Sequence, residues 1–223
     1  TVEDMPDIDY LLISHDHWDH LDYATATALR SKVGQVVCPL GVGAHFEAWG
    51  YGKETVFEGD WYSVLEGKGG FAIHILPARH FSGRSLTRNK TLWAGFALVT
   101  PERRIFFSGD SGYGKHFAEI GARFGGFDLA MLDCGQYDEN WRYVHMMPED
   151  TAQAAEDLRA RALLPGHVGK FAIAYHTWDD PFKRIVAASR GKPYRLLLPL
   201  IGEPVALPIA SDGESLRWWE AGR

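Results

Sequence analysis

Apolar residues along this chain come in short runs, each closed by polar residues, glycine or proline. Residues 8–13 (Ile-Asp-Tyr-Leu-Leu-Ile) are compact and apolar enough to predict a buried strand. The same pattern predicts strands at 35–39, 55–57, 61–64 and 71–76. Residues 92–99 and 104–108 flank a Thr-Pro-Glu-Arg turn and predict a hairpin, and further strands are expected at 128–132, 162–164, 196–198 and 204–207. Between these runs lie helical patterns at 21–29, 41–50, 117–124, 148–158 and 180–189. Pro148 suits a first helical turn, and Glu149 and Asp150 suit its positive end. Strands alternating with helices, with no repeat, low-complexity segment or linker, predict one α/β domain over residues 1–223.

Polar residues with metal-binding chemistry cluster where predicted strands end. The run from His15 to His20 reads H-x-H-x-D-H, placing His15, His17, Asp19 and His20 on one strand-to-helix loop. Imidazole nitrogen and carboxylate oxygen are the donors that borderline ions such as zinc select. His80 follows the 71–76 strand, Asp110 follows 104–108 between two glycines, and His167 follows 162–164. Loops at strand ends are where open α/β architectures place chemistry. Seven candidate ligands are too many for one ion, which takes about four including water. They suit two ions, with the two-oxygen carboxylate of Asp110 as the bridge. His45 is expected on a helix face and His74 within a sheet, neither of them a ligand.

The order of these motifs resembles the metallo-β-lactamase fold superfamily. Within it the closer resemblance is to the branch of N-acyl-phosphatidylethanolamine-hydrolysing phospholipase D. That resemblance rests on Leu92-Trp93-Ala94-Gly95-Phe96, Phe106-Phe107-Ser108-Gly109-Asp110-Ser111-Gly112-Tyr113, Tyr143-Val144-His145-Met146-Met147-Pro148-Glu149 and Gly166-His167-Val168-Gly169-Lys170-Phe171. Residues 119–125 and 127–130 extend it, so that it spans roughly positions 9–190. It implies an αββα four-layer sandwich with two zinc ions, manganese or iron being the alternatives. By position, His15, His17 and His80 would hold one ion, Asp19, His20 and His167 the other, and Asp110 would bridge them. Asp19, Asp110 and His145 would be the catalytic residues, and His176 would lie near the site.

The implied activity is hydrolysis of a phosphodiester by a hydroxide held between the ions. The alternatives are a lactonase or ester hydrolase on the same site, a diiron redox protein, and a non-catalytic metal-binding protein. The diiron branch typically carries glutamate where this chain has His17. The substrate class is a small-molecule or lipid ester.

Composition narrows the picture further. A net charge of −6 argues against a nucleic-acid binder, whose footprint is basic. No apolar run approaches the length of a membrane span, and the expected location is cytoplasmic or peripheral to a membrane. Cys38 and Cys134 are too few for a disulfide framework and are expected as buried thiols. Only fourteen residues precede His15, enough for one strand, whereas this fold normally opens with several. The expectation is therefore the C-terminal part of a longer protein. Its opening strands would be removed or supplied by another chain, and a homo-oligomer or partner chain would cover the edge.

Overall fold

The computed structural model describes residues 1–170, 173–208 and 217–220; Phe171, which closes the last motif quoted above, lies outside them. Among the described residues ten strands form two sheets. A three-stranded parallel sheet contains β1 (Ile8–Leu12), β2 (Val33–Pro39) and β3 (Val56–Gly59), in that order. A seven-stranded mixed sheet contains β4 (Val64–Glu66), β5 (Ala72–Leu76), β6 (Gly95–Val99), β7 (Arg104–Phe107), β8 (Leu129–Asp133), β9 (Ala162–Gly166) and β10 (Arg195–Leu196). Its spatial order runs from β10 through β9, β8, β7, β6 and β5 to β4.

Period-two patterning places the two faces of each strand in different cores. In β1, Tyr10 and Leu12 point between the sheets, where they join Val37, Ile73, Ile75, Phe96 and Phe107. Leu11, with Ile13 just past the strand, points outward to pack with Leu21, Ala26 and Phe46 around α1 (Tyr23–Leu29) and α2 (Gly43–Ala48). On the other sheet, Phe106, Ala130, Leu132 and Leu163 face α3 (His116–Phe124), α4 (Pro148–Asp157) and α5 (Asp180–Ala188). Helices outside and two sheets inside make the expected αββα sandwich. Among the described residues no helix is long and apolar enough to cross a membrane.

Local signals explain where helices begin. Asp22 caps α1 by accepting from the Thr25 N–H at 2.7 Å, so that helix starts at Tyr23 and not at Leu21. Pro148 and Pro181 occupy first turns of α4 and α5, where a missing N–H costs nothing. The terminal Trp218-Trp219 pair is packing: Trp219 is buried and stacks on Phe182 at 5.1 Å. Cys38 and Cys134 are free and buried.

Four strand expectations need correction. Residues 61–63 turn instead, because Tyr62 is left-handed at φ 72° and Asp60 accepts from the Trp61 N–H; the strand is β4, Val64–Glu66. Residues 92–94 cross between the sheets, Leu92 N–H donating to the Leu40 carbonyl and Ala94 N–H to that of Ser14, so β6 begins at Gly95. Residues 204–207 form no strand: Gly202 is left-handed, and Pro204 has no N–H to give a ladder. The 196–198 expectation shrinks to β10, which ends at Leu196.

Helices α3 and α4 meet at Gly121. A Cβ there would lie 2.1 Å from the Asp157 carbonyl oxygen and 2.9 Å from the Leu158 Cα, both rigid backbone atoms. Gly121→Ala is therefore expected to destabilise the fold by about 1–3 kcal/mol through overpacking, which urea unfolding measures. A neutral or stabilising effect would mean that the two helices are not in this contact.

Candidate metal centre

The sheet topology gathers the candidate ligands at one edge. β5 and β7 both run antiparallel to β6, and β8 and β9 run parallel to β7, so the C-terminal ends of β5, β7, β8 and β9 lie together. The Ala94–Ser14 hydrogen bond brings the end of β1 to the same edge at 2.9 Å. Gly109 lets the β7 loop close against it. Its φ is 58°, and a Cβ there would meet the Ser14 Cβ at 2.7 Å, so a side chain would push Asp110 away from His15.

Three imidazoles form the first group. His15 Nε2 lies 2.9 Å from His17 Nδ1, and His80 Nε2 lies 3.2 Å from the same atom. Lone pairs face one another at these distances only with a proton or cation between them. The far nitrogen of His80 donates to the Val144 carbonyl at 2.9 Å, which leaves Nε2 as a lone pair facing the site. His15 Nδ1 is similarly bonded to Ser14 Oγ at 3.0 Å. Burial disfavours the charged form of all three rings: His15 and His17 fall below the usual histidine range, and His80 falls to about 4. Neutral imidazole is the form that binds metal.

Asp19, His20, Asp110 and His167 form the second group. Asp19 Oδ2 lies 3.3 Å from both His20 Nε2 and His167 Nε2. Asp110 Oδ2 lies 3.0 Å from His20 Nε2, and 3.9 and 3.8 Å from the Nε2 atoms of His15 and His80. One carboxylate thus stands within reach of both groups. Burial opposes charge on His20 and His167, but the carboxylates outweigh it, Asp110 and Asp19 holding His20 up at about 9 and Asp133 and Asp19 holding His167 up at about 11. His167 and then His20 hold the Asp19 carboxyl far below the usual carboxylate range. His167 itself adopts a left-handed backbone at φ 59°, uncommon for a side-chain-bearing residue and tolerated where surroundings over-determine it.

The donor set passes a direct test of fit for metal. His20 Nε2 and His167 Nδ1 are buried without a hydrogen-bond partner; although Asp110 Oδ2 approaches His20, the geometry is not that of a hydrogen bond. Orphaned imidazole nitrogens beside carboxylates suit a cation as the missing partner. Imidazole and carboxylate donors are compatible with zinc, manganese or iron.

Sequence reasoning missed Asp133, although it ends β8 as the other ligands end or follow their strands. Asp133 is fully buried, and its Oδ2 accepts from His145 Nδ1 at 2.8 Å and from the Ser111 N–H at 3.2 Å. Burial alone would raise its carboxyl pKa, but His145 outweighs that and holds it low. The His145 ring lies 5.1 Å from that of His80 and 5.3 Å from that of His167. His176 belongs to none of the ligand groups: its Nε2 accepts from the Gln136 N–H and its Nδ1 donates to the Thr177 carbonyl. His45 lies on α2 with its ring near Trp49, and His74 packs on Phe124.

Arg84 was also missed. Its Nη1 donates to the carbonyl oxygens of Asp16 and Leu21, bracing both ends of the ligand loop, while the Gly83 N–H donates to Asp16 Oδ1 at 2.7 Å. Arg84→Ala is expected to weaken metal binding by about 10–100-fold, as loss of a group that orients ligands usually does. Competition with a chelating dye reads this directly, and unchanged affinity would remove Arg84 from that role.

A family model described as the beta-lactamase superfamily domain matches residues 1–168. The chain belongs to this superfamily. An uncharacterized protein of Mycobacterium tuberculosis is 42% identical over 205 residues, covering 90% of this chain and 55% of its own length. N-acyl-phosphatidylethanolamine-hydrolyzing phospholipase D 1 of Caenorhabditis elegans is 35% identical over 184 residues, covering 77% of this chain and 52% of its own length. The chain thus spans about half the length of these curated relatives. The structure of an isothiocyanate hydrolase from Delia radicum gut bacteria superposes with a TM-score of 0.69 at 19% identity, covering 91% of this chain and 78% of that one, and so shares the fold. The superfamily membership and the likeness to the phospholipase D branch agree with the motif reading.

Proposed function

We propose that this superfamily member is a dinuclear metal-dependent hydrolase of the phospholipase D type, cleaving a phosphodiester. The observation that carries the reading is Asp110, whose Oδ2 stands within 3.9 Å of nitrogens from both ligand groups. The likeness to the Caenorhabditis elegans phospholipase D supports the phosphodiester. His15, His17 and His80 would hold one ion, and Asp19, His20 and His167 the other, zinc being the first candidate. Bound divalent ions would lower the pKa of a coordinated water toward about 7 and offset charge on phosphoryl oxygens.

The chain's own residues supply positioning and proton handling. Asp19, the more exposed carboxylate with 38% of its side chain accessible, can accept and orient a proton from the attacking water. His145 gives Nδ1–H to Asp133, which leaves Nε2 as the ring atom that meets a substrate oxygen or the leaving group. A Ser or Cys nucleophile is not required. Ser111, beside Asp110, is fully buried, and burial pushes the Cys134 thiol far above its ordinary range.

Metal analysis and a substrate panel test the proposal together. The expected result is two tightly bound ions per chain and turnover of phosphodiesters well above turnover of lactones or carboxylic esters at equal enzyme and metal. One ion per chain would overturn the dinuclear form. Preferential lactone turnover would move the same site to carbonyl chemistry.

A further inference from the structure

Asp16 and Trp18 are the two residues of the His15–His20 run that join no ligand group. Both instead line a separate cleft of about 540 Å³, which includes none of the seven ligands. Its aromatic walls are Trp18, Tyr23 and Trp49, with Tyr23 and Trp49 edge to face at 5.3 Å. The Arg84 guanidinium lies between the rings, 4.0 Å from the centroid of Trp18 and 5.6 Å from that of Trp49.

The cations of this cleft have carboxylates near them but no direct contact with one among the described residues. Arg84 is held in a fixed orientation through one nitrogen, Nη1, which donates to backbone carbonyls. A guanidinium has five N–H donors, so donors on its other nitrogens remain for a planar acceptor. Among the described residues neither Arg84 nor Lys90, on the same wall, makes an ion pair. Asp16 also faces the cleft, but its Oδ1 accepts from the Gly83 N–H and its Oδ2 lies 3.7 Å from His45 Nε2. The open guanidinium donors of Arg84, with the Lys90 ammonium on the same wall, favour a planar anionic acceptor such as a carboxylate. The rings select a flat apolar body.

We propose that this cleft is a binding site for an aromatic carboxylate, distinct from the metal centre. The carboxylate would take the remaining guanidinium donors of Arg84, with Lys90 beside it, because a planar fork and a carboxylate pair bidentately. The aromatic body would stack against Trp49 and Tyr23, as offset and edge-to-face ring pairs do.

Calorimetric titration of the metal-loaded chain with 2-naphthoate tests this, with acetate and 2-naphthol as the half-ligands. Saturable binding of 2-naphthoate is expected, with both half-ligands much weaker. Trp49→Ala is expected to weaken binding about tenfold, by loss of ring stacking. Lys90→Ala, at an exposed position that does not endanger folding, is expected to weaken it about threefold. Asp110→Asn, which dismantles the metal bridge, should leave it unchanged. Loss of binding in Asp110→Asn with full binding in Trp49→Ala and Lys90→Ala would place the ligand on the metals and overturn the proposal, as would no saturable binding at all. Neither Trp49 nor Lys90 lines the metal centre, so such a failure would leave the hydrolase reading standing.

Discussion

Asp110→Asn is expected to abolish hydrolysis, and to do so more completely than His145→Ala. The Asp110 carboxylate approaches four nitrogens, those of His20, His15, His80 and His167, at 3.0, 3.9, 3.8 and 3.6 Å. An amide of the same shape keeps one acceptor oxygen, replaces the other with a donor, and removes the negative charge that balances two cations. Both ligand groups lose their shared member at once. His145→Ala removes a positioned hydrogen bond and no ligand, a change that typically lowers rate by about 10²–10³. Steady-state kinetics on both variants, with metal content measured beside them, gives the comparison. Equal residual activities would show that the two roles are wrongly assigned.

Asp133→Asn is expected to have the next largest effect. The hydrogen bonds to this buried carboxylate come from His145 Nδ1 and the Ser111 N–H on Oδ2 and from the Gly135 N–H on Oδ1, with His167 Nδ1 3.7 Å from Oδ1. An asparagine offers one acceptor oxygen and must turn its amide N–H₂ toward at least one of those donors. The resulting unsatisfied buried group costs about 1–3 kcal/mol of stability. The activity loss should be larger than that cost suggests, about 10²–10³ in kcat, because His145 loses the partner that fixes its tautomer and orientation. In the double variant Asp133→Asn with His145→Ala, kcat should be no lower than in the worse single variant, since the two residues act as a unit. Additive penalties would show that Asp133 acts through something other than His145.

Much of the fold was legible because local patterns carry it. The apolar run at 8–13 predicts a buried strand, and the structure buries it on both faces, Tyr10 and Leu12 in one core and Leu11 and Ile13 in the other. The seven candidate ligands could be picked out for a related reason: each lies on a loop that follows an apolar run. A polar residue there cannot be continuing a buried strand. Asp133 follows the expected 128–132 strand and so obeys the same rule, but nothing local shows a histidine twelve positions later as its partner.

The sequence by itself determined the alternation of strands and helices, the H-x-H-x-D-H loop and the chemical type of every ligand. These follow from side-chain period and donor chemistry, which are properties of neighbours in the chain. Tertiary structure alone decided which donors stand together and which residues brace them. Asp110 becomes common to both groups through the approach of the β7 loop to Ser14, possible because Gly109 has no Cβ. Arg84 becomes a brace because the loop after β5 folds back over carbonyls 63 and 68 residues earlier in the chain. Such contacts depend on sheet order and loop closure, and no short-range pattern encodes a separation of that length.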